Sequence, residues 1–266
     1  MPRARAELLH REQVAPGHYL LQLRCAELAR DARPGQFVHL RVSDGLEPLL
    51  RRPFSVMRTE PQKGRIWLLV RVAGRGTELM GTHDEGTVYD LLGPLGNGWR
   101  LPQENETVLL VAGGVGVAPL VFLADALRTS DLHIYVRGLF GAADNQGLVC
   151  WTEFAARCDE FTPTTEDGSA GEKGLVTELL VGELRRGDAH RVYACGPRGM
   201  LAQVARLCSE HDLPGQVSME QWMGCGVGAC LGCVVPSARA EGEYLRVCTE
   251  GPVFDTAALA WDEMES

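Results

Sequence analysis

Four cysteines in the last fifth of the sequence carry its strongest chemical signal. Cys225, Cys230 and Cys233 stand in CGVGACLGC, and Cys248 follows after fourteen further residues. Cys-x4-Cys-x2-Cys with a distant fourth cysteine is the plant-type spacing by which thiolates hold a [2Fe–2S] cluster. Three ligands on one short loop and a remote fourth let the backbone wrap a small inorganic core. Gly226, Gly228, Ala229 and Gly232 remove bulk, so amide groups can approach the sulfurs and donate hydrogen bonds to them. The alternative chemistry is structural zinc, and with it a non-enzymatic zinc-binding interaction module. Zinc loops pair their cysteines in two close Cys-x2–4-Cys units, whereas here the fourth cysteine stands alone.

Three weaker signals precede the cysteines. GGVGVAP, Gly113 to Pro119, follows an apolar strand and opens a helix, so Gly113, Gly114 and Gly116 would let backbone reach a pyrophosphate at a helix N-terminus. It is not the full Gly-x-Gly-x-x-Gly fingerprint, and a plain strand–helix turn competes with it. Cys195-Gly196-Pro197 ends a later strand, and binding sites of open parallel sheets lie beyond the carboxyl ends of strands, so the two turns are expected to face one cleft. A buried inert thiol is the competing reading of Cys195. In Arg51-Arg52-Pro53-Phe54-Ser55, Arg52 offers a phosphate its bidentate fork, Phe54 an aromatic face and Ser55 a hydroxyl for a ring nitrogen. An Arg-Pro strand start with a barrel-core Phe explains that motif nearly as well. Leu69-Val70-Arg71 lies on a strand, where Arg71 is odd in an apolar run but an outward-facing arginine on a half-wet strand is common. The helix start Gly76-Thr77 offers a second phosphate seat. The seven histidines have no metal-ligand spacing, and no Ser–His–Asp set or carboxylate pair stands out, so no catalytic side chain is assigned.

These residues need elements to position them. The 266 residues suffice for two domains and a small appendage. The net charge of −9 offers no basic face to nucleic acid. Nine cysteines in a chain of this length suit a reducing cytoplasm better than a secreted disulfide framework. MPRARAELLHREQ has no apolar stretch behind its arginines and does not read as a signal peptide. VLLVAGGVGVAPLVFLA is uncharged, but its central glycines and Pro119 mark a buried strand, turn and helix rather than a membrane span. Residues 1–102 carry short β-type runs broken by Gly and Pro, as in an antiparallel barrel or sandwich. QFVHLRV alternates as a strand with one wet face. Gly76–Met80 is the one short helix expected there, with Thr77 as N-cap. Over 103–214 strands alternate with helices at Pro119–Arg128, Glu153–Arg157, Val176–Arg185 and Arg198–Glu210, implying a parallel sheet. Residues 215–266, Gly- and Cys-rich, form a metal-organised lobe.

This order of parts resembles the ferredoxin–NADP reductase superfamily and, within it, the electron-transfer subunits of bacterial NAD-dependent dihydroorotate dehydrogenase. The resemblance runs nearly end to end through RRPFSV, LLVRVAGRGT, LLGPLGNGW, AGGVGVAPL, TEDGSAGEKGLVT, YACGP and MGCGVGACLGCVV…LRVCTEGPVF. It implies an antiparallel FAD-binding β barrel, a parallel-sheet α/β domain for NAD and a small [2Fe–2S] lobe. FAD would be held by Arg52, Pro53, Phe54 and Ser55 with Leu69, Val70, Arg71, Gly76 and Thr77. NAD would lie near Gly113, Gly114, Gly116 and Pro119, its nicotinamide end bordered by Cys195, Gly196 and Pro197. Cys225, Cys230, Cys233 and Cys248 would bind the cluster. The implied role is electron transfer in pyrimidine biosynthesis, from the FMN of a dihydroorotate-oxidising catalytic subunit through [2Fe–2S] and FAD to NAD+, in a heterotetramer of two plus two chains. Phe54 departs from the aliphatic residue or tyrosine of many relatives. YVRGLFGAADNQG lacks the clustered basic residues that a 2′-phosphate needs, which favours NAD over NADP. The nearest rival within the superfamily is a subunit of an NADPH–ferredoxin oxidoreductase or a sulfide dehydrogenase.

Overall fold

The computed structural model describes residues 3–264. The first strand, β1 (Arg3–Ala15), turns at Gly17 into β2 (His18–Arg24). Gly17 has φ +68°, a conformation that a side chain disfavours. Helix α1 (Ala26–Asp31) follows, built from good helix formers in a segment too short for the periodicity to announce it. Strands β3 (Phe37–Arg41), β4 (Arg52–Glu60) and β5 (Arg65–Arg71) lead to helix α2 (Arg75–Met80) and strand β6 (Val88–Leu95). The six strands close into an antiparallel barrel in the order β1-β2-β5-β4-β3-β6. Shifts in register along β1, between Leu8 and His10 and between Gln13 and Ala15, help bend the long strand around it.

Two expectations are corrected here. Thr77 is not the N-cap of α2, because the helix begins two residues earlier behind Gly74. Its hydroxyl instead folds back, accepting from the Ala73 N–H and donating to the Gly74 carbonyl, both at 2.9 Å. Strand β3 has no wet face over most of its length. Val38 and Leu40 fill the barrel, while Phe37 and His39, on the outer face, are buried beneath another part of the chain.

The second domain runs through β7 (Thr107–Gly113), α3 (Val117–Arg128), β8 (Tyr135–Ala142), α4 (Trp151–Ala155), β9 (Glu160–Thr165), β10 (Glu172–Lys173), α5 (Val176–Arg186), β11 (Arg191–Cys195), α6 (Arg198–Glu210) and β12 (Gly215–Ser218). Its β7 explains the unbroken apolar run in the sequence. Val108 and Leu110 pack with α3 and Phe154 on one face, and Leu109 and Val111 with Leu180, Leu201 and Val204 on the other. A parallel strand covered on both sides needs no polar alternation. Helix α3 is buried almost all round, since Phe122 also reaches the barrel core.

The lobe holds a small hairpin, β13 (Val234–Pro236) with β14 (Tyr244–Arg246), before β15 (Val253–Asp255) returns. The seven-stranded sheet has the order β10-β9-β8-β7-β11-β12-β15, parallel throughout except for β15. The lobe is therefore an excursion between two neighbouring strands rather than a unit beginning at residue 215. The four residues of β12 are too short a run to mark a strand in the sequence.

Trp99 wedges the domains together. It lies in the same buried cluster as Met57 of the barrel, Leu110 of the sheet and Val253, and meets Tyr193 edge-on at 5.7 Å. The Tyr193 hydroxyl donates to the Arg100 carbonyl at 2.7 Å. Trp99→Ala is expected to cost about 3–5 kcal/mol of stability, and Tyr193→Phe about 1 kcal/mol. Urea unfolding of the holoprotein measures both, and an unchanged midpoint in Trp99→Ala contradicts the wedge.

Candidate redox site

The structure gathers Cys225, Cys230 and Cys233 on the loop that leads into β13 and Cys248 in the turn just after β14. Cys230 lies close enough to help lower the pKa of Cys225, and Cys233 and Cys225 close enough to help raise that of Cys248. Among the described residues no three His, Cys, Asp or Glu side chains converge as ligands of one metal ion. A binuclear cluster has a different requirement, two thiolates on each of two irons. The loop backbone turns its N–H groups toward the sulfurs. Val227, Ala229 and Cys230 donate to Cys225 Sγ at 3.4, 3.3 and 3.4 Å, and Gly228 donates to Cys248 Sγ at 3.2 Å. Gly226 and Gly228 have φ of +70° and +80°, which makes this curl of N–H groups possible.

The electrostatics fit a cationic core. Burial opposes ionisation of Cys225, but the N–H groups of Val227, Cys230 and Ala229, with the Cys230 thiol, outweigh it and bring its pKa down to about 7. Cys248 is pushed up to about 11 by burial and by the neighbouring Cys233 thiol. Crowded like charges of this kind are relieved by a metal. Cys230 is exposed while Cys233 and Cys248 are buried, so the set has an outer and an inner end. The other thiols are inert by comparison: burial pushes Cys150, Cys158, Cys195 and Cys208 up to about 12.

On the barrel, β4 places Arg52 to Ser55 along one strand, with Pro53 paired to His39 and Ser55 to Phe37. The Arg52 guanidinium packs over the first turn of α2, where a Cβ on Gly76 would lie 2.8 Å from Nε. A side chain at position 76 would push the guanidinium from this seat. The unpaired N–H groups of the first turn and the guanidinium then lie together, a donor set suited to a phosphate. The strand segment Leu69–Arg71 contributes differently from its sequence appearance. Val70 is wholly inside the barrel, Leu69 is buried and Arg71 is exposed, so Val70 offers a ligand only its backbone.

The two nucleotide turns meet. A Cβ on Gly113 would strike Pro197 and Met200, and one on Gly116 would strike the Cys195 carbonyl. Gly114 has φ +52° and open space beside it. Pro119 is buried within the first turn of α3. Sequence reasoning missed two residues beside Cys195. Ser218 pairs with it across β11 and β12 and hydrogen-bonds its thiol, and the carboxylate of Glu220 lies close enough to raise its pKa further. A lone acid in MEQWM carries no motif, and only the fold brings it beside the Cys-Gly-Pro turn. Arg137 is the only basic side chain in YVRGLFGAADNQG. It is buried and committed to Asp188 at 2.6 Å and Glu183 at 3.2 Å, so it is unavailable to a 2′-phosphate.

A barrel with an arginine–serine strand, a doubly covered parallel sheet and a thiol-lined lobe define a flavin- and iron–sulfur-dependent oxidoreductase of ferredoxin–NADP reductase-like fold. Comparison with known proteins makes this particular. Residues 220–260 match the iron–sulfur cluster binding domain of dihydroorotate dehydrogenase B, and residues 110–206 match the oxidoreductase NAD-binding domain. The chain is 40% identical over 258 residues to the dihydroorotate dehydrogenase B (NAD(+)) electron transfer subunit of Desulforamulus reducens, covering 97% of this chain and 98% of that protein. It is 39% identical to the subunit of the same name from Lysinibacillus sphaericus, covering 95% and 96%. Among solved structures, that of an NADH-dependent reduced ferredoxin-NADP oxidoreductase superposes with a TM-score of 0.87 at 30% identity, covering 98% of this chain and 91% of that one. The chain belongs to the family of dihydroorotate dehydrogenase B electron transfer subunits.

The meeting of the two turns gives a direct test. Gly116→Ala forces the Cys-Gly-Pro turn away from α3, so NADH affinity should fall by about tenfold or more, with the FAD content and barrel intact. Titration of flavin absorbance with NADH measures it, and an unchanged dissociation constant refutes the proposed cleft.

Proposed function

We infer that this chain passes electrons between the FMN of a dihydroorotate-oxidising catalytic subunit and NAD+, as half of a two-plus-two complex in the cytoplasm. The observation that carries this reading is the set of four thiols on a lobe packed against β3, the strand paired with the flavin-type strand β4. FAD supplies the exchange between single electrons at the cluster and hydride at nicotinamide. The chain's own residues do the holding. Cys225, Cys230, Cys233 and Cys248 ligate iron, and the loop N–H groups stabilise the negative charge on sulfur. Arg52 with Gly76 and Thr77 seats the flavin's phosphates, and Ser55 and Phe54 flank its ring. Gly113, Gly114 and Gly116 bring backbone to the dinucleotide, with Cys195 kept as a neutral thiol beside it. No residue of this chain needs to move a proton on dihydroorotate, which accounts for the lack of a catalytic acid or base.

Three further features support the partner and compartment. Trp222 is 89% exposed three residues before the first ligand, and Leu231 is 60% exposed between the second and third. Aromatic and aliphatic side chains rimming a redox loop suit a protein partner that must approach the cluster. No disulfide joins any two of the nine cysteines. No helix among the described residues is long and apolar enough to cross a membrane.

Purified under argon, the protein should be yellow-brown with flavin absorbance and bleached by NADH; a colourless zinc protein would end this reading. With the FMN subunit added, Cys225→Ser should retain NADH-to-dye activity and lose dihydroorotate-to-NAD+ transfer. Full coupled turnover in that variant contradicts the wiring.

A further inference from the structure

His39 is fully buried, and neither ring nitrogen has a hydrogen-bond partner among the described residues. Buried polar groups are nearly always paired, and leaving one unpaired costs about 1–3 kcal/mol. Its place in the fold suggests what the ring is for. The register of β3 sets it beside Pro53 of β4 on one side and Leu92 of β6 on the other, on the outer face of the barrel. What covers that face at His39 is the cysteine loop: a Cβ on Gly226 would lie 2.5 Å from Nδ1 and 3.1 Å from Cγ. The loop backbone is thus pressed flat against the imidazole, and only glycine permits it. The carbonyls of Arg51 and Cys225 lie close enough to favour a proton on the ring, yet neither is in hydrogen-bond geometry. Burial, and the nearby Arg51 and Arg52 charges, favour the neutral ring, which carries one N–H and one lone pair.

We propose that His39 is a positioning residue that registers the cluster loop on β3, the strand paired with flavin-binding β4, donating its single N–H to the Cys225 carbonyl in the loaded protein. This rests on the reading of the four cysteines and β4 given above. A packing role alone would be met by any flat ring of this size, and a phenylalanine would fill the space without an unpaired nitrogen. The imidazole adds a donor where the ligand loop meets β3, the strand whose partner β4 carries Arg52–Ser55. Fixing the Cys225 backbone there fixes one iron ligand relative to the flavin, the outer-sphere role that commonly governs how well a bound metal centre works.

The test uses the full chain, loaded with cluster and FAD, and three variants. His39→Phe keeps a flat ring without a donor. His39→Asn and His39→Gln place an amide N–H near the Nδ1 and Nε2 positions respectively. Readouts are iron and flavin content, the electron paramagnetic resonance spectrum of the dithionite-reduced cluster, and the stopped-flow rate at which NADH-reduced protein reduces the cluster. All variants should hold iron and flavin. His39→Phe should shift the resonance spectrum and slow cluster reduction by about tenfold or more, and one of the two amide variants should recover both. The proposal is overturned if His39→Phe matches the unaltered protein, if neither amide recovers the signal, or if the variants lose iron alike. Absence of iron or of the resonance signal in the unaltered protein would instead refute the cluster assignment.

Discussion

A single buried apolar core that takes residues from all three parts of the chain is the constraint on which the rest depends. Phe37 and Leu95 of the barrel, Leu109 and Val111 of the parallel sheet, and Cys233, Val247 and Cys248 of the lobe belong to the same cluster. Electron transfer between bound centres requires fixed spacing, and loosely docked domains would not keep it. Here two of the four thiols are themselves core residues, so the ligand set cannot shift without disturbing the packing that joins barrel to sheet. Interiors at close-packed density resist such shifts. Trp99, between Met57 and Tyr193, reinforces the joint on the far face of the sheet.

Charge is managed in the same economical way. The Cys225 thiol, met by three backbone N–H groups, is the one held down near neutrality. The buried thiols elsewhere are pushed well above it and stay protonated. Iron therefore meets one ligand, Cys225, already biased toward thiolate, while Cys150, Cys158 and Cys208 stay out of competition. Arg137 is neutralised in place by Asp188 and Glu183, and its hydrogen bond to Asp188 holds that carboxyl down to about 2.

Much of this was legible from residue types and spacing, and the exceptions share a physical cause. The cysteine ligands were readable because three of them lie on one loop, where spacing alone dictates geometry. The apolar run of β7 and the glycine turn after it were readable because a strand buried on both faces leaves a local pattern. The wet face expected of QFVHLRV is covered in the structure, since alternation reports which way a side chain points and not what another part of the chain lays over it. Glu220 and Ser218 come beside Cys195 through a parallel pairing of distant segments. The strand β12 and helix α1, of four and six residues, are too short for any periodicity to rise above their neighbours. The placement of Thr77 turned on hydroxyl hydrogen bonds that composition cannot order.

The point at which the lobe leaves the sheet has a consequence for modularity. Ser218 and Val253 are paired across β12 and β15, and the Met219 N–H still donates to the Pro252 carbonyl at 2.8 Å. The whole cysteine-bearing excursion therefore departs and returns at adjacent points, like an overgrown hairpin turn. A scaffold of this kind can accept or surrender the excursion without rethreading a strand, because the flanking ladder closes whatever bridges its two ends. Swapping one such insert for another becomes a matter of matching the surface it lies on, the outer wall of β3, rather than rebuilding the oxidoreductase beneath.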